Sequence, residues 1–103
     1  MGDFNRGVRM ENVIRDELDV IFRCEIGDPL LATVRITRVE LSTRGARARA
    51  SFQIAQLVEL DAVERALERA CGFLRMRLAE ALGNARVPEL VFRRDPAARM
   101  EGI

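Results

Sequence analysis

Ala32-Thr33-Val34-Arg35-Ile36-Thr37-Arg38-Val39-Glu40-Leu41-Ser42-Thr43-Arg44-Gly45-Ala46-Arg47-Ala48-Arg49-Ala50-Ser51-Phe52-Gln53-Ile54 is the stretch whose reading decides the fold. From Ala46 to Ile54 apolar and polar residues alternate almost strictly, which is the period of a strand with one buried face. Ala46, Ala48, Ala50, Phe52 and Ile54 share one side; Arg47, Arg49, Ser51 and Gln53 share the other. The first half, Ala32 to Ser42, alternates too, but Val34 and Ile36 fall on one parity while Val39 and Leu41 fall on the other. A bulge near Thr37-Arg38 returns both halves to one face. Ser42-Thr43-Arg44-Gly45 is turn material, so the stretch reads as an antiparallel hairpin.

Outward from the hairpin the period changes to that of helices. Upstream, Met10, Val13, Ile14, Leu18, Ile21 and Phe22 form one apolar stripe, predicting a helix from about Arg9 to Cys24 that Gly27-Asp28-Pro29 stops. Downstream, Asp61-x-x-Glu64 has the form of a capping box. Val63, Ala66, Leu67, Ala70 and Leu74 carry a second stripe, which resumes through Leu78, Ala81 and Leu82 until Gly83-Asn84. Gly72 lies inside it. Because Gly costs about 1 kcal/mol relative to Ala in a helix, a kink between two shorter helices is expected there. Val87 to Arg93 then alternates again, and Pro88 confines that strand to a strand start or an edge. The fold class is therefore α+β: three strands on one side and three helices covering one face.

The chain has 103 residues, enough for a single core. We expect one domain over residues 9–94, with flexible ends at 1–8 and 95–103. The net charge is only +1, yet its distribution is uneven. Residues 1–34 are net acidic, whereas Arg35 to Val58 carries Arg35, Arg38, Arg44, Arg47 and Arg49 against Glu40 alone. The last third is net basic. Every cation is Arg, whose planar fork of donors suits phosphate.

Several functions are disfavoured. With no His and two distant cysteines, Cys24 and Cys71, a zinc site or disulfide framework is not expected; the cysteines read as reduced thiols on apolar helix faces. No metal and no cofactor is expected. Without His, Lys or Tyr, acid–base catalysis would rest on carboxylates or thiols, and Cys71 would need an activating partner. The N-terminal residues lack the apolar run of a signal peptide, Arg6 stands where myristoylation requires Ser or Thr, and no apolar stretch could span a bilayer. A cytoplasmic, monomeric protein without membrane contact is the expectation.

If Val34, Ile36, Ala48, Ala50, Phe52, Leu90 and Phe92 face the helices, Arg35, Arg47, Arg49 and Arg93 project from the open face of the sheet. Arg69, Arg75 and Arg77, with Ala70 and Gly72, form a second basic group around the expected kink. Phosphate neutralisation would dominate the affinity of such surfaces. The bland alternative is a solvated face whose arginines pair with Glu89 and similar neighbours.

The order of elements also matches the type II KH arrangement, and four phrases resemble the bacterial ribosome-binding factor A family. They are Gly27-Asp28-Pro29-Leu30, Val34 to Ser42, Ala70-Cys71-Gly72-Phe73-Leu74-Arg75-Met76-Arg77-Leu78, and Val87 to Asp95. Ordinary KH domains clamp the nucleic-acid backbone with a GXXG loop; this chain, like the family, has Ala70-Cys71-Gly72 in its place. The resemblance implies non-catalytic binding to the small ribosomal subunit and its ribosomal RNA during late maturation. Arg44 departs from the family, which commonly has Asp in that turn, and the longer C-terminal tail of some members is not part of these residues. Three rival readings stay open: a general module for structured RNA, a protein-interaction or oligomerisation domain pairing through sheet edges, and, more remotely, a thiol enzyme using Cys71.

Overall fold

A computed structural model of the chain describes residues 2–42, 44–55, 57–83 and 86–95, with side chains from residue 7 onward. Helix α1 runs Gly2–Val20 and widens into a single π turn, Ile21–Glu25. A 3-10 turn, Leu31–Thr33, leads into β1, Arg35–Leu41; β2 spans Arg47–Gln53, α2 spans Leu60–Ala81 and β3 spans Glu89–Arg94. β2 is the middle strand, antiparallel to β1 and parallel to β3.

The hairpin forms as the alternation predicts. Ile36 pairs with Phe52 and Arg38 with Ser51, so the register slips by one residue at Thr37. That bulge brings Val39 back onto the buried face beside Ile36. Behind the sheet lies one core: Ile14, Leu18, Ile21 and Phe22 from the first helix and its π turn, Val63, Ala66, Leu67, Leu74 and Leu78 from α2, and Ile36, Val39, Ala48, Ala50, Phe52 and Leu90 from the strands. Ala48 and Ala50 are fully buried on the central strand, and the Phe22 and Phe92 rings meet at 6.3 Å.

Four expectations need correcting. α1 begins at Gly2, well before the apolar stripe does, so residues 2–8 belong to helix. At α2 the N-cap is Glu59, with no side-chain cap; Asp61 lies within the first turn, where its charge suits the helix dipole, and no capping box forms. α2 is one uninterrupted helix through Gly72, so two α-helices rather than three cover the sheet. The reason is phase: Leu67, Ala70, Leu74 and Leu78 stay on one face across Gly72. Burying that continuous stripe outweighs the cost of one glycine. Finally, Cys24 is exposed on the π turn, while Cys71 is half-buried; both are free thiols.

The ends follow different rules. Gly27 takes φ +70 where the π turn stops, and the Asp28 carboxylate accepts the Leu30 N–H at 2.9 Å, fixing the turn into the 3-10 segment. The C-terminal stretch expected to be flexible lies outside the described residues from 96 onward. Asp95 is held at the sheet: its N–H donates to the Phe52 carbonyl at 2.8 Å, and its carboxylate accepts from Thr37 Oγ1 at 2.9 Å.

Candidate nucleic-acid interface

The face of the sheet turned away from the helices is built by strand alternation from rows of paired residues. Arg35 stands opposite Gln53; Arg38, Ser51 and Arg93 form the next row; Glu40, Arg49 and Val91 follow; Arg47 and Glu89 complete the face. All five arginines are exposed. The structure thus brings together Arg35, Arg47, Arg49 and Arg93, and adds Arg38. Counting parity from Val34 and Ile36 alone misses Arg38, but the slip in alternation contains the signal, because a bulge at Thr37 turns Arg38 to the same side as Arg35.

Carboxylates temper this face. Arg47 Nε lies 3.4 Å from Glu89 Oε1, and Glu40 lies 3.9 Å from Arg38 Nε and 4.0 Å from Arg49 Nη1. Asp95 closes one end through Thr37. These ion pairs are long and between half and two-thirds exposed. Exposed pairs of this kind contribute about 0–1 kcal/mol, less than a charge-assisted bond to phosphate can offer. Among the described residues Arg35 and Arg93 make no ion pair. Arg47, Arg49 and Arg93 border a shallow depression whose apolar floor includes Val91. With no aromatic ring on this face among the described residues, the surface suits a sugar–phosphate backbone better than stacked bases.

The second group is on the other side of the molecule. Arg69 and Arg75 are exposed on α2, away from the sheet, and so is Gly72, where an added Cβ would meet nothing within 4 Å. Ala70 instead points inward and packs against the core. Arg77 has a structural engagement: its guanidinium binds Glu25 of the π turn at 2.8 Å and Glu80 at 2.9 Å, tying α2 to the end of the first helix. Sheet-face and helix-face arginines therefore form two separate surfaces. Among the described residues no cluster of His, Cys, Asp and Glu could hold a metal ion, and no helix is long and apolar enough to cross a membrane.

Comparison with known proteins agrees with this architecture. A curated ribosome-binding factor A from Dechloromonas aromatica is 36% identical over 86% of this chain and 72% of its own length. The crystal structure of ribosome-binding factor A from Thermus thermophilus superposes with a TM-score of 0.75 at 25% identity, covering 85% of this chain and 94% of that one. A Thermus thermophilus homology model fitted into a cryo-electron-microscopy map of a 30S–ribosome-binding factor A complex superposes with a TM-score of 0.72 at 26% identity, over 87% and 96% of the two chains. The family model described as ribosome-binding factor A matches residues 6–102, so the chain belongs to the ribosome-binding factor A family.

Proposed function

We propose that this protein is a non-catalytic assembly factor that docks on the immature small ribosomal subunit and its ribosomal RNA in the cytoplasm, acting as a monomer through a single domain that includes all of α1. The observation that carries this is the open sheet face, where five arginines project together, three of them, Arg38, Arg47 and Arg49, held only loosely by carboxylates. A family member fitted into a 30S complex supports the choice of particle. Arg35, Arg38, Arg47, Arg49 and Arg93 would neutralise backbone phosphates, with Arg69 and Arg75 on the helix side, beside Ala70 and Gly72, as a second contact; Arg77 would contribute by holding α2 in place. Binding one conformer of the RNA better than another would shift the particle toward it.

Co-sedimentation with immature small subunits, mature small subunits and large subunits, at low and physiological salt, tests the proposal. Retention on small subunits, stronger for immature particles and weakened by salt, is expected. Equal retention on all three particles would reduce the protein to a general binder of structured RNA, and no retention would leave the arginine face merely solvated.

A further inference from the structure

The two edges of the sheet are finished differently. At β1, outward N–H groups are taken up by the first helix: Ile36 donates to Asp19 Oδ1 at 3.2 Å and Leu41 to Glu11 Oε2 at 2.8 Å. α1 therefore covers that edge. β3 has no such cover among the described residues. Glu89 N–H donates to the Ala46 carbonyl at 2.9 Å and Asp95 N–H to the Phe52 carbonyl at 2.8 Å, so the odd-numbered residues of β3 turn their backbone toward β2. In a parallel ladder the alternate residues, Leu90 and Phe92, then present N–H and C=O at the free edge. An open edge of this kind is a template for another strand.

A groove runs beside that edge, between α2 and β3. Leu67, Cys71, Leu90 and Phe92 line its floor, and Glu64 and Glu68 stand on its rim. Neither glutamate makes an ion pair among the described residues, and Arg94 at the end of the strand is bound to neither.

We infer that this groove receives an extended, basic polypeptide segment, carried by a protein of the immature small subunit, as a fourth strand along β3; the inference rests on the small-subunit reading above. Backbone hydrogen bonds to Leu90 and Phe92 hold the segment, while its alternate side chains divide between the apolar floor and the two carboxylates. RNA is a poor occupant because Glu64 and Glu68 would face its phosphates. A second copy of this chain is a poor occupant too, since a two-fold pairing brings the same acidic rim onto itself.

Two measurements on the full chain with immature small subunits decide the matter. Glu64→Arg with Glu68→Arg is expected to weaken retention about tenfold or more. The sign is diagnostic, because added positive charge strengthens any contact that is with RNA; circular dichroism verifies that the variant is folded. In parallel, photoreactive p-benzoylphenylalanine in place of Arg94 is expected to give an adduct with a lysine- or arginine-bearing peptide of a ribosomal protein, identified by mass spectrometry. Unchanged or stronger retention of the double variant overturns the inference while leaving the small-subunit reading in place. An adduct with ribosomal RNA or with a second copy alone, or no adduct on particles that carry the protein, does the same. Failure of the unaltered protein to co-sediment overturns both.

Discussion

Gly72 sits in the middle of a 22-residue helix with its missing side chain aimed at solvent and open space around it. Nothing in the core requires a glycine there. Since Gly in a helix interior costs roughly 0.5–1 kcal/mol relative to Ala, Gly72→Ala should stabilise the protein by about that amount, read as a higher urea midpoint with an unchanged m-value. Lower stability would mean that a bend at Gly72 is needed for packing. Arg77 behaves in the opposite sense. Its guanidinium joins Glu25 and Glu80 across elements and is little more than a third exposed, so Arg77→Ala should cost about 1 kcal/mol. Thermal unfolding measures that loss, and 1 M salt should shrink the gap between variant and parent if the ion pairs are its source.

At the scale of elements, the contact between α1 and the edge of β1 carries more weight than its two hydrogen bonds suggest. Asp19 and Glu11 lie two turns apart on one helix and meet two backbone donors of one strand. Asp19→Ala leaves the Ile36 N–H without its acceptor and should destabilise the fold by about 1–3 kcal/mol, with faster hydrogen exchange at Ile36 as the local signature. This contact was not legible in the sequence: the partners are 17 and 30 residues apart, and periodicity reports which face a residue takes, never which distant group it meets. The same holds for Arg77 and Glu25, separated by 52 residues. Periodicity does report faces and parity. The slip of parity between Ile36 and Val39 located the bulge, and the two apolar stripes located the core faces of both helices. The cost of Gly72 alone predicts two helices, whereas the phase of Leu67, Ala70, Leu74 and Leu78 runs on across it and keeps α2 in one piece. The same slip carries the signal for Arg38, because the bulge turns it to the face of Arg35.

For the whole molecule the proposed docking raises the question of which side would meet the RNA. One rigid core separates the sheet-face arginines from Arg69 and Arg75, and at physiological salt a charge is felt over only about 8 Å. A flat RNA surface can therefore engage one group strongly, whereas RNA must wrap around an edge of the domain to engage both. Each phosphate contact removed lowers the slope of log affinity against log salt by about 0.7–0.9. Arg35→Ala with Arg93→Ala, chosen because neither arginine makes an ion pair among the described residues, should lower that slope by about 1.5 and leave folding stability unchanged. Arg69→Ala with Arg75→Ala should change the slope by much less if the open sheet is the docking face. Titrating immature small subunits with each double variant across a salt series measures both quantities at once. Equal losses from the two pairs would show that the RNA wraps the domain, and a loss confined to the helix pair would move the interface from the sheet to α2.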